Sequence, residues 1–457
     1  MHFYSTAVQG EFARLDSRKQ TAGMVSFKEA VLRCLPDDEG LYVPEALPDL
    51  RQFLLNADKS ISFTALASAI TPRFFEGELS AEEAARIAKN AFGFSPALVE
   101  LDETFSVLCL YDGPTGTFKD FGIGFLASLL EELLGRELGA GAAGKVMVIS
   151  AMRDTGAGIV NAFRGRRGIV TVLLCPRSES RGVIRGLDSA DFVPNGGNVI
   201  PIEVEGNLDD CQRLVSGIIR DRPFADRYHV TSANAINAGR LLPQAFYYLY
   251  SFIMLKRKIS GDLFFSIPSG NFGNLIAGLY AWKFGMPVDG FIAAMNANNA
   301  FGPYIRAGNA GPFSPSALTS TNSPALDVGR PSNYERLNSF YKSAPAVMRH
   351  MVFPRSTGDA ETLAAMRRAW EKYGLILDPQ GAVGFAAAER MAEDDFNRHI
   401  VCLATGHPAY WAHTVYEATG ERIELPERLS ALAKETAPIA FIKNDLEGLE
   451  NAIASCL

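Results

Sequence analysis

The sequence predicts an α/β protein with mainly parallel sheets covered by helices on both faces. Three observations carry that prediction. From about residue 144 onward, short and continuously apolar runs alternate with segments of helical spacing. Runs that are apolar throughout, rather than alternately, read as strands buried on both faces, which parallel sheets require. The chain has 457 residues, 47% of them hydrophobic, enough for a large core and for two or three domains.

The elements follow in order. Residues 117–134 read as a helix, with Phe118, Phe121, Phe125, Leu126, Leu129, Leu130 and Leu133 on one broad face. Residues 145–150 are a strand behind a glycine-rich loop, and 156–163 a helix. Residues 169–175 and 199–204 are further strands. Residues 207–220 place Leu208, Cys211, Leu214, Val215 and Ile218 at helical spacing, with Asn207 as N-cap. Residues 228–231 are a fourth strand and 241–256 a long apolar helix. A strand at 263–268 runs through Ser269-Gly270-Asn271-Phe272-Gly273-Asn274 into a helix at 275–284. Residues 290–295 are a strand. Residues 302–333, rich in Pro, Ser, Gly and Asn, read as a long surface segment. Helices at 360–373 and 382–391 and a strand at 400–404 complete the pattern.

Composition narrows the function. The net charge is −7, and no Lys/Arg run forms a basic stripe, which argues against nucleic acid. The six cysteines form no C-x-x-C pair and read as reduced thiols in a reducing compartment. The first residues show no basic start followed by an apolar run. The longest uncharged apolar stretch, 241–255, contains Pro243 and Gln244 and is too short to span a bilayer. A cytoplasmic protein without membrane partners is expected. His407 and His413 lack a metal-ligand pattern and read as structural; no metal is expected.

Lys119 falls in the first turn of a helix, directly after a Gly-Pro-Thr-Gly loop. A cation there opposes the helix dipole, and burial disfavours the ammonium. Both lower a lysine's pKa, as Schiff-base and proton-transfer chemistry needs; by position alone, an ordinary exposed lysine at a helix start is the commoner case. Residues 269–274 join a strand end to a helix start, where free N–H groups suit a phosphate. Gly139-Ala140-Gly141-Ala142-Ala143-Gly144 matches G-x-G-x-x-G but follows a helix and precedes a strand, the reverse of a dinucleotide fingerprint. Thr405 ends a strand where ligands bind in α/β sheets. Asn234, Asn237 and Arg240 open a helix, and either grip an anionic substrate or cap that helix.

Five blocks, in order, resemble the threonine synthases, pyridoxal 5′-phosphate enzymes of fold type II. They are Phe3-Tyr4-Ser5-Thr6 with Gly40-Leu41-Tyr42-Val43-Pro44; Gly113-Pro114-Thr115 with Phe118-Lys119-Asp120-Phe121-Gly122; Ser232-Ala233-Asn234 with Asn237 and Arg240; residues 268–273; and Thr405 with His407-Pro408-Ala409. The resemblance implies a large cofactor domain and a smaller mobile one: an N-terminal region at 1–100, the large domain at 101–140 and 232–457, and the small domain at 141–231. It implies that Lys119 carries the cofactor as a Schiff base and shuttles protons. Gly270, Asn271, Phe272, Gly273 and Asn274 would cradle the cofactor phosphate, and Thr405 would meet the pyridine nitrogen. Arg153, Asp154 and Thr155 would lie over the substrate's α-carboxylate, with Asn234, Asn237 and Arg240 as further substrate contacts. The reaction implied is O-phosphohomoserine plus water to L-threonine and phosphate, in a monomer or homodimer.

Three positions depart from the family. Met152-Arg153 replaces small hydroxyl residues before Asp154-Thr155-Gly156, with one residue fewer; Tyr410 stands where Lys is common; Gln380 stands where His is common. All three fall on the substrate side. They leave two other readings open: a related phospho-amino-acid lyase releasing a keto acid, and a catalytically retired homologue.

Overall fold

The computed structural model describes residues 1–457 apart from 8–22, 76, 139–145, 152–155, 181–183, 186–188, 260, 300, 308–317, 394–396, 431 and 433–434. The chain opens with β1 (His2–Ser5), β2 (Val25–Ser26) and β3 (Tyr42–Pro44). Next come β4 (Ala97–Glu100), β5 (Phe105–Cys109), β6 (Val146–Ala151), β7 (Ile169–Pro176), β8 (Ile184–Arg185), β9 (Val199–Val204) and β10 (Val230–Ser232). The remaining strands are β11 (Asp262–Pro268), β12 (Gly290–Met295), β13 (Val352–Ser356), β14 (Arg398–Ala404), β15 (Glu435–Thr436) and β16 (Ala440–Ile442).

Two parallel sheets organise the molecule. The larger runs β13-β12-β11-β14-β5-β4, parallel except where β4 turns back on β5. The smaller runs β10-β6-β7-β9-β16, parallel throughout. The N-terminal strands form an antiparallel sheet, β2-β1-β3, and β8 pairs with β15. The α/β reading holds, and every strand of β6 to β12 except the two-residue β8 lies within two residues of where apolar runs place it.

The helix Lys119–Leu138 packs by the face its sequence marks. Phe121, Phe125, Leu126, Leu129 and Leu130 are fully buried. Phe121 meets Phe63 edge-on at 5.3 Å between ring centroids, and Phe125 stacks on Phe92 at 6.2 Å. Each such side chain contributes roughly 1.5–3 kcal/mol of burial. The helix is therefore clamped between the N-terminal helices and the sheets, and its first residue, Lys119, sits on a rigid mount.

Three features differ from the sequence reading. β5, the strand that carries the lysine loop, is a five-residue run behind Asp102-Glu103-Thr104, too short and unpunctuated to stand out. The segment 318–333 is not simply surface: Ser323, Leu326, Asp327 and Asn333 are buried. Its polar groups find partners inside. Asn296 Nδ2 donates to Thr321 Oγ1 and to Asp327 Oδ1, both at 2.8 Å. Finally, the C-terminal strand β16 leaves the large unit, where 232–457 was expected to stay, and joins the small sheet beside β9. The helix Leu446–Cys456 follows it there, burying Leu449 and Ile453 in the small-sheet core. All six cysteines are free thiols, five of them buried. No helix among the described residues is long and apolar enough to cross a membrane.

Candidate active site

Strands β5, β14 and β11 are consecutive neighbours and parallel, so their carboxyl ends share one edge. Strands lie about 4.8 Å apart, so the outer two of the three are roughly 10 Å apart. The lysine loop leaves β5, Thr405 leaves β14, and the Ser269–Asn274 turn leaves β11.

The lysine loop is tied down from several sides. Phe118 N–H donates to Thr405 O at 2.9 Å and His407 N–H to Gly116 O at 2.8 Å, an antiparallel bridge between Thr117 and Gly406. Gly116 has φ +65°, and a Cβ there would stand 3.0 Å from Leu429 and 3.2 Å from His407, so a side chain would be both strained and crowded. Asp120 reaches back to accept from the Thr115 N–H at 2.8 Å and the Thr115 hydroxyl at 2.6 Å. Burial pushes its carboxyl up against those bonds. Arg428 donates to Gly113 O at 2.5 Å and Tyr111 O at 3.2 Å. Tyr410 donates its hydroxyl to Thr115 O at 2.9 Å. Lys119 itself is half-buried.

Thr405 is buried, at 8% exposure. Beside it, His407 Nδ1 accepts from Ala409 N–H at 3.2 Å and caps a short turn, and burial lowers its pKa. His407 is structural, as its sequence context suggests. Below Thr405 begins the helix Pro379–Glu393, capped by Asp378, whose Oδ1 accepts from Gly381 N–H at 3.1 Å. Asp378 is 1% exposed, and burial raises its pKa to about 7. Its Oδ2 and the buried Gln380 Nε2 make no hydrogen bond among the described residues.

The Ser269–Asn274 turn is bound at its ends and open in its middle. Ser269 N–H donates to Ala294 O at 2.7 Å, and Gly273 N–H to Asn271 Oδ1 at 3.0 Å. The N–H groups of Gly270, Asn271, Phe272 and Asn274 have no acceptor among the described residues. Phe272 adopts φ +63°, and the helix Gly273–Lys283 starts directly after it. Asn274 Oδ1 accepts from Tyr247 at 2.6 Å and Tyr248 at 2.7 Å, which orients the amide and leaves a buried Nδ2 without a partner. The segment 325–328 covers the turn, with Leu326 Cα and Val328 Cγ2 each 3.1 Å from where a Gly270 Cβ would lie.

The small sheet brings its own edge to the site. β6 and β10 are parallel neighbours. Asn234 braces the end of β6 from both sides, accepting from Ala151 N–H and donating to Ala151 O, each at 3.0 Å. Gly158, just beyond the following loop, would place a Cβ 3.4 Å from the Thr115 hydroxyl. The loop residues Arg153, Asp154 and Thr155 lie outside the described residues. Arg240 is 8% exposed and donates to Ala233 O; its Nε is unpartnered, and burial lowers its pKa to about 10. Asn237 departs from the expected substrate contact. Its Nδ2 donates to Val31 O, Thr231 Oγ1 and Ser232 O, and its Oδ1 accepts from Gly239 N–H. With the amide spent and the residue fully buried, Asn237 locks the loop and caps the helix.

Comparison with known proteins decides the family. The family described as "Pyridoxal-phosphate dependent enzyme" matches residues 96–406, flanked by "Threonine synthase N terminus" at 15–92 and "Threonine synthase, C-terminal" at 381–453. The threonine synthase of Serratia marcescens is 31% identical over 94% of this chain and 97% of its own. The chain belongs to the threonine synthase family. The Escherichia coli threonine synthase is likewise 31% identical, over 95% of this chain and 96% of its own. The solved E. coli structure superposes with a TM-score of 0.83 at 29% identity, covering both chains completely. A PLP-bound threonine synthase from Brucella melitensis gives 0.82 at 26% identity, over 100% of this chain and 99% of that one. The fold is therefore that of the fold-type-II threonine synthases, and the cofactor is pyridoxal 5′-phosphate.

The donor set of this chain fits that cofactor. Four backbone N–H groups without acceptors and an unpartnered Asn274 Nδ2 gather at the Ser269–Asn274 turn. A donor-only turn opening a helix suits a phosphate dianion. Sequence reasoning missed Asp378, Tyr247, Tyr248 and Arg428. The one available signal was the pair of tyrosines inside an apolar helix, since buried hydroxyls need partners.

Proposed function

We propose that this chain converts O-phosphohomoserine and water to L-threonine and phosphate, with pyridoxal 5′-phosphate carried on Lys119. The observation that carries the reading is the backbone bridge fastening the Lys119 loop to Thr405–His407, beside the open turn of β11. When bound, the cofactor supplies an electron sink for carbanion chemistry next to the substrate's amine. In the reaction the Cγ–O bond breaks as phosphate leaves, one Cβ–H bond breaks, a proton bonds to Cγ to complete the methyl group, and the hydroxyl of water takes the vacated place on Cβ while water's other proton goes to the phosphate.

The residues divide that work. Lys119 Nζ takes protons from Cα and Cβ and gives protons back at Cγ and, at the end, at Cα. Gly270, Asn271, Phe272, Gly273 and Asn274 would hold the cofactor phosphate, and Thr405 would offer the ring nitrogen a neutral hydroxyl. Arg240 and Asn234 present a cation and an amide to the anionic substrate, and Arg153, Asp154 and Thr155 face its carboxylate. The small-sheet unit closes over the site and excludes water until phosphate has left. The enzyme works as a cytoplasmic monomer or homodimer on a small molecule.

The test is to incubate purified protein with O-phosphohomoserine and follow phosphate, threonine and keto acid together. Phosphate and threonine should rise in equal amounts; keto acid without threonine would refute the reading. Borohydride reduction should fix the cofactor on Lys119.

A further inference from the structure

Arg336 is fully buried, at 0% exposure, in the helix Tyr334–Ser343. All its hydrogen-bonding partners are neutral. Nε donates to Tyr42 O at 3.0 Å, Nη1 to Ala235 O at 3.0 Å and to Asn333 Oδ1 at 2.7 Å, and Nη2 to Ile236 O at 2.6 Å. Burial lowers its pKa, and no carboxylate among the described residues pairs with it. Neutral donors would satisfy carbonyl oxygens equally well. A guanidinium held dry without an anion is strongly disfavoured unless an anion arrives.

The place where one arrives is one residue away. Asn333 accepts from Arg336, and its own N–H donates to Asn271 O at 3.2 Å, inside the Ser269–Asn274 turn. Its Nδ2 lies 3.3 Å from the point where a Gly273 Cβ would stand, and Ala235 Cβ lies 3.6 Å from the same point. The guanidinium thus grips both segments that flank the turn, Ala235–Ile236 and Asn333. We infer that Arg336 is the counter-charge of the bound cofactor phosphate, acting as a positioning residue through Asn333. A charge in the low-dielectric interior is little screened. Holding Asn333 by its oxygen also fixes the direction of the Nδ2 donor.

This inference rests on the reading that the turn holds phosphate, and the experiment separates the two. Cofactor-free protein is titrated with pyridoxal 5′-phosphate, with pyridoxal, and with inorganic phosphate, read by visible absorbance and by thermal stabilisation. Arg336→Met should bind pyridoxal 5′-phosphate and inorganic phosphate at least tenfold more weakly, with pyridoxal affinity within about twofold of the parent. Arg336→Lys, which keeps the charge, should recover most of the loss. Equal weakening toward pyridoxal and its phosphate would overturn the inference, as would Arg336→Lys behaving like Arg336→Met. If Arg336→Met does not fold, Asn333→Ala should still lose affinity for the phosphorylated form alone; unchanged binding would overturn the relay. A parent protein that binds neither phosphate compound would refute the turn's assignment, and this inference with it.

Discussion

Replacing Asp378 by Asn should stabilise the protein at pH values above about 4, most of all above about 7. Asn keeps the cap, because its amide oxygen can still accept from Gly381 N–H, and the two residues cap helices equally well. It removes a charge that the interior rejects. Burial raises the Asp378 pKa from 3.8 to about 7, so between those values the unfolded chain releases a proton that the folded chain keeps. The folded state therefore loses stability as pH rises through that window, and the loss levels off above about 7. At 1.36 kcal/mol per pH unit, the ceiling is about 4 kcal/mol. Local relaxation will reduce it, and we expect about 2 kcal/mol. The assay is urea and thermal unfolding of parent and Asp378→Asn at saturating cofactor from pH 4 to pH 9. The two proteins should coincide near pH 4 and separate up to a plateau above pH 8. A variant that is less stable at pH 8, or offset equally at every pH, would refute the reasoning.

Gly270→Ala places a Cβ 3.1 Å from Leu326 Cα and Val328 Cγ2; a forced shift of about 1–3 kcal/mol should appear as lost cofactor absorbance, and full occupancy would contradict it. Asn237→Ala removes three donated bonds and one accepted bond from a buried loop. It should lower stability by about 3 kcal/mol while leaving KM of the folded fraction unchanged; a raised KM at full stability would restore a substrate role. Arg153→Ala should lower kcat/KM by roughly 1.5–3 kcal/mol through a higher KM, and unchanged kinetics would show that Arg153 does not touch substrate.

What could be read from the sequence was local. Lys119, the Ser269–Asn274 turn and Thr405 stand at strand–helix junctions, where glycine and polar residues mark the backbone directly. Asn237 looked the same as Asn234, because which side a side chain spends its amide on depends on Val31, some two hundred residues earlier. Arg336 and Asp378 carried no signal: a charged residue is surface by default, and only packing against β3 or beneath Gly406 buries it. The polar segment 318–333 was misjudged for the same reason, since its internal partners lie at Asn296 and in the turn it covers.

The last strand to be made completes a sheet started far earlier in the chain. β16 pairs Ala440 with Ile202, so roughly 240 residues are translated between the two halves of that ladder. At 5–20 residues per second a ribosome takes roughly 10–50 s over that interval. Throughout it, the nascent chain carries β9 with an open row of backbone donors and acceptors, the feature that invites pairing with another chain. A product that stops short of residue 440 would hold Lys119, the phosphate turn and Thr405, yet fail by self-association during synthesis rather than by chemistry.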